Sequence, residues 1–220
     1  MADPDFWSGT YGAVVGSIVG GLIALGGQWL TILDVRKTRS ADVKMERKAL
    51  SHSIILKTMR IHSNFMQIDN HWKESNEKAN ALEIWQYLLP LVNLPEKIKF
   101  ENRELALLLT LNDNKLFNDV LELDAVHNAL LDSLGIYNNK YEELTAKFVP
   151  AGMTGDVGHL EFNNAELLKV RPLMVIVNSL GAQIGNMVAR DATSSSLTLD
   201  ELASALREKA GSDIKIERKN

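Results

Sequence analysis

The chain contains no cysteine. That excludes a disulfide framework and thiolate metal sites, and it fits a cytosolic main body. Several motifs that carry chemistry are also missing. There is no phosphate-cradling GxxxxGK[ST], no GxGxxG following a strand, no HExxH, no EF-hand loop and no GxSxG. The five histidines, His52, His62, His71, His127 and His159, have no ligand-like spacing and are expected at the surface or at caps. No internal repeat at a fixed period is visible. The reading is therefore of a protein that is not an enzyme and carries no metal or cofactor.

Charge is absent where it matters most. From Tyr11 to Leu33 there is no Asp, Glu, Lys, Arg or His. As a helix this stretch spans ~34 Å, enough to cross a hydrocarbon core of ~30 Å. Ten of its residues are Leu, Ile or Val. Near the bilayer centre such residues together favour insertion by roughly 3–6 kcal/mol, a gain that the glycines, Ser17, Gln28 and Thr31 erode. A cleaved signal peptide would need a basic start and a shorter apolar core.

The flanks set the orientation. Asp3 and Asp5 precede the stretch, whereas Arg36, Lys37, Arg39, Lys44, Arg47 and Lys48 follow it. Cations stay on the cytoplasmic side, so the acidic N-terminus is expected outside and the C-terminal domain in the cytoplasm. Residues 35–60 hold eight Lys/Arg against Asp42 and Glu46, a net of +6 within a chain of net −4. These cations hold the topology and contact lipid headgroups. Nucleic acid is not an expected partner, because no aromatic-rich basic motif accompanies them.

The expected fold class is all-α: a single N-terminal transmembrane helix followed by a cytosolic helical bundle. The parts are an external tail (1–10), the transmembrane helix (11–33), a basic membrane-proximal helix (34–70), a helical domain (71–210) and a flexible tail (211–220). Leu50, Ile54, Ile61, Phe65 and Ile68 mark one buried helix face, widened by Ile55, Met59 and Met66. Further helices are expected over 79–89, 101–111 and 114–148, the last with a bend at Gly135. After a loop over 149–162, another helix runs to Arg190 with a kink or restart at Pro172. Its apolar part, Leu173–Met187, reads as the buried centre of the bundle. A linker (192–196) and a capping box, Thr198–Glu201, then open a last helix.

Two features point to function. Gly12, Gly16, Gly20, Ala24 and Gln28 recur every fourth residue and share a helix face, where a second helix can approach closely. Self-association into a homo-oligomer is expected there. The other is the loop carrying Asp156, His159 and Glu161: glycines beside carboxylates and an imidazole can form a hydrolytic or ligand-binding pocket, the basis of a third-ranked enzyme reading, but the preferred reading is an ordinary turn-rich connection. The function that fits is a membrane-anchored interaction or sensor module, with a cytosolic protein or small-molecule signal as partner. The alternative is an oligomeric, pore-forming effector of a bacterial inner membrane, such as a toxin or anti-phage protein.

Overall fold

The computed structural model describes residues 4–79, 82–147 and 164–210; the side chains of 4–26, 164–166 and 210 lie outside the described residues. All the described regular structure is helical, and it forms a helical bundle without strands among those residues. The helices are α1 (Pro4–Asn76), α2 (Ile84–Tyr87), α3 (Asn102–Thr110), α4 (Asn114–Thr145) and α5 (Asn164–Ala210). The chain divides into two compact units, Met1–Ala49 and Leu50–Asn220.

In the first unit, every residue from Gly27 to Arg47 is solvent-exposed. Residues 4–10, expected as a tail, are helical. Proline suits a first helical turn, where its missing N–H is not needed.

The second unit is built on one core. From α1 it takes Ile54, Ile55, Ile61, Phe65 and Ile68, all buried as the spacing predicts. Met59 and Met66 are exposed instead, so the buried face is narrower than expected. Helix α4 supplies Leu116, Val120, Leu123, Leu130, Leu131, Leu134, Tyr137 and Leu144. It begins as its sequence dictates: Asn112 takes a left-handed φ of 52°, and the Asp113 carboxylate accepts the Leu116 amide at 3.0 Å. It runs without interruption through Gly135 to Thr145, three residues short of the expected end.

Of the helix expected over 79–89, the described residues show a single turn, α2. The Glu83 amide donates to the Gln86 side chain at 2.8 Å, and the Trp85 amide donates to Asn178 Oδ1 on α5 at 3.1 Å. Side chains of other elements then hold the irregular stretch up to Phe100 by its backbone. Tyr137 donates to the Leu88 carbonyl (2.7 Å), His71 Nε2 to that of Leu89 (3.0 Å) and Asn138 to that of Leu91 (2.9 Å). Asn128 brackets Ile98, donating to its carbonyl and accepting its amide.

Helix α5 differs most from expectation. It passes through Pro172, through the expected linker and through the expected capping box as one helix of 47 residues. Pro172 deprives the Leu168 carbonyl of its donor, but Leu168 is exposed and water can replace it. The linker stays helical because it is packed: Ala192, Ser195, Thr198 and Leu199 are buried, and the Ser195 hydroxyl donates to the Ala192 carbonyl at 2.9 Å. Local preference for a cap gives way to burial.

The segment Leu167–Lys209 is long and apolar enough to cross a membrane by length and composition, its best window reaching a mean hydropathy of 1.3. Yet Val177, Ile184 and Val188 form a buried stripe against the bundle. Gly181 and Gly185 lie on the same side and admit Ile84 and Trp72. Burial is confined to that stripe. Leu168, Val175 and Ile176 are exposed, so Leu173–Met187 is not a helix buried all round.

Candidate functional site

Taking the expected site residues first, Gly12, Gly16, Gly20 and Ala24 fall within helical α1, with their side chains outside the described residues. Gln28 is exposed, as are Arg36, Lys37, Arg39, Lys44 and Arg47, while Lys48 is half-buried. Around them lie apolar side chains that the chain leaves uncovered: Trp29 (64% exposed), Leu30 (65%), Ile32, Leu33 and Val35. Asp156, His159 and Glu161 lie outside the described residues.

One groove of about 260 Å³ opens between α4 and α5. Lys115, Asp119 and Glu122 line it from α4, and Asp191, Thr198 and Glu201 from α5, over a floor that includes Leu123 and Val126. Lys115 bridges the two helices, 3.1 Å from Asp119 and 2.8 Å from Glu201. Those carboxylates hold its ammonium above the ordinary lysine range. Asp191 is buried and takes Arg190 at 2.6 Å. The groove thus supplies its own cations. No group of three or more His, Asp or Glu among the described residues is placed to hold a metal ion.

Two buried polar clusters resemble chemistry at first sight. His62 Nδ1 lies 2.9 Å from Ser195 Oγ. In a nucleophilic pair the serine would donate to the histidine. Here the serine's proton goes to Ala192, so its oxygen accepts from His62, and it is fully buried. The pair ties α1 to α5.

The second cluster centres on His127, which is fully buried rather than at a surface or cap as expected. Asn64 Nδ2 donates to its Nε2 at 3.0 Å, which places the ring proton on Nδ1, facing Asn128 Oδ1 at 3.4 Å. Phe65 meets the ring edge-on at 5.8 Å. Burial lowers the imidazole pKa, only partly offset by Asn128. Burial also raises that of Asp124, against the amide of Asn128 at 2.9 Å. A neutral, hydrogen-bonded histidine on the apolar face of α4 reads in sequence as a gap in the stripe, so its burial is visible only in three dimensions.

Glu104, 1% exposed, is the most deeply placed ion-paired carboxylate among the described residues. Burial opposes its ionisation, but Lys57 (2.7 Å), Ser53 (2.5 Å) and the Glu101 amide (2.6 Å) outweigh it and hold the pKa below the ordinary value. It fastens α3 to α1.

Compared with known protein families, with curated proteins and with solved structures, the chain finds no match. The functional reading therefore rests on its own residues.

Proposed function

We propose that this chain is a single-pass membrane protein, N-terminus outside, whose helical cytoplasmic domain is an interaction or sensor module. In this reading the chains associate through the Gly12–Gln28 row of α1. The observation that carries it is the helix around Trp29–Val35. Its apolar side chains are exposed all round, they follow an uncharged stretch, and cations come immediately after. Such a helix gains free energy from lipid, with the indole and the cations at the headgroups.

The experiment is fractionation of cells expressing the full chain, with an alkaline wash of the membranes. Single cysteines at Ser8 and Asn139, labelled with an impermeant reagent in intact and in permeabilised cells, report the orientation. Wash-resistant membrane protein labelled at Ser8 in intact cells, and at Asn139 only after permeabilisation, is the expected result. Protein in the supernatant, or the reverse labelling, overturns the reading.

A membrane-potential dye in the same cells addresses the pore-forming alternative. Depolarisation that requires an intact glycine row would favour it.

A further inference from the structure

The proposed association in the membrane leaves a question about the exposed helix that follows. Counted at about 100° per residue, Arg36, Lys37, Lys44, Arg47 and Lys48 of α1 fall within an arc of about 120°. Trp29 and Leu33 extend the same arc toward the N-terminus. The cations therefore form a stripe rather than a collar.

The opposite face is organised differently. Gln28, Thr31, Val35, Thr38, Asp42, Met45 and Ala49 follow one another at alternating steps of three and four. That is the spacing of a two-helix coiled-coil seam, with Gln28, Val35, Asp42 and Ala49 at one core position and Thr31, Thr38 and Met45 at the other; of the seven, Val35, Met45 and Ala49 are apolar. Val35 is 58% exposed and Met45 70%. The two threonines donate their hydroxyl protons to their own helix, Thr31 to the Gly27 carbonyl (2.9 Å) and Thr38 to that of Asp34 (3.0 Å). With those protons engaged within the helix, the threonines can offer methyl groups to a partner.

Charge selects the occupant. Arg39 is the one cation of the six outside the basic arc. In a parallel pair its register position meets the position of Asp34 on the other helix, the flanking contact that sets partner and orientation. Two copies in register thus place an acid against a base on each side of the seam and keep both basic stripes pointing away.

We infer that residues 28–49 of α1 pair with the same residues of a second copy as a parallel coiled coil. The pairing takes up the lower end of the row, at Ala24 and Gln28, and leaves the stripe of Arg36, Lys37, Lys44, Arg47 and Lys48 facing away from the seam, with Arg36 and Lys37 next to the headgroups. This rests on the anchored reading, since insertion in one orientation is what makes the copies parallel. Asp42 is the single charged seam residue; it meets its own copy across the seam, and this like-charge contact opposes the pairing that the Asp34–Arg39 contacts favour.

Cysteine scanning tests it, because the native chain has no cysteine. In a symmetric parallel pair each seam residue meets its own copy, within the Cα separation of about 7 Å that a disulfide tolerates. Full-length chains in membranes, each with one cysteine at position 16, at position 20 or at one of positions 35–49, are oxidised and the dimer fraction is read on a gel. Cross-linking at Val35→Cys, Thr38→Cys, Met45→Cys and Ala49→Cys should exceed that at Arg36→Cys, Lys37→Cys and Lys44→Cys by at least about fivefold. Even yields across the scan, or a maximum on the basic stripe, overturn the inference. Cross-linking at Gly16→Cys and Gly20→Cys with none at 35–49 also overturns it, while leaving association in the membrane standing. No cross-linking at any position removes both.

Discussion

The indole of Trp72 fills the space that a side chain at Gly185 would need. A Cβ there would overlap the indole Nε1 and come within 3.0 Å of two ring carbons. The neighbouring Gly181 is in the same position toward Ile84, whose Cγ2 would lie 2.5 Å from an added Cβ.

Gly185→Ala should therefore destabilise the protein by about 1–2 kcal/mol, overpacking outweighing the gain in helix propensity. Gly135 on α4 is the control, with open space where its Cβ would be. Gly135→Ala should stabilise by about 0.5–1 kcal/mol. Urea unfolding midpoints of the two variants should move in opposite directions, and equal shifts would refute the packing argument.

Lys57 is the counter-charge of Glu104. Lys57→Met should cost about 2–3 kcal/mol, less than a fully enclosed pair because Lys57 is partly exposed. The carboxyl is easier to ionise in the folded state than in the unfolded chain. Its contribution is thus complete above the ordinary carboxylate range, and it is lost as pH falls through the lower folded value. Glu104→Gln should be less stable near neutrality and should lose less stability on acidification. Denaturation series from pH 6.5 downward give both numbers.

His127 titrates with the opposite chemistry and the same sign. Its folded pKa lies below the ordinary 6.5, so the ring is neutral in both states above that pH. As pH falls, the unfolded chain takes up the proton first and stability declines toward the folded pKa. His127→Gln, which keeps a hydrogen-bonding side chain without a titrating one, should flatten the profile between pH 7 and 5. An unchanged slope would assign that slope to other groups.

Gly16→Ile places a branched side chain in the middle of the glycine row. If the row packs helix on helix, apparent dimerisation in mild detergent should weaken at least about tenfold, on the order of 1.4 kcal/mol. The mass of the purified complex by light scattering gives the answer, and an unaltered oligomer would place the contact elsewhere.

What was legible in the sequence follows from periodicity. The buried rows of α1 and α4 are regular steps of three and four, and the Asn112–Asn114 turn announces itself by residue type. The errors in α5 have one cause. Pro172, the Ala192–Ser196 stretch and the Thr198–Glu201 box are local stop and start signals, and in α5 they are overruled by burial of Ser195, Thr198 and Leu199. Leu82, Glu83, Leu88 and Leu89 fail in the other direction. Their apolar pattern promised a helix, but Glu83 and Gln86 cap a single turn that Asn178 holds from another element. His127 was misplaced because an imidazole's neighbours are not encoded by spacing. The residues of the α4–α5 groove were not singled out either, since Lys115 and Glu201 are 86 positions apart and read separately as ordinary surface charge.

The backbone-held stretch between α2 and α3 has a practical use. Its carbonyls at Leu88, Leu91 and Ile98 are gripped by side chains of α4, and its own Leu88, Ile98 and Phe100 are buried in the core, so it is held on both sides of its exposed middle. Val92, 92% exposed, sits beside Asn93, also exposed, between two of those grips. An epitope or fluorophore spliced in at that point would hang from a clamped frame, giving a handle on the bundle that leaves both α1 and the charged groove untouched.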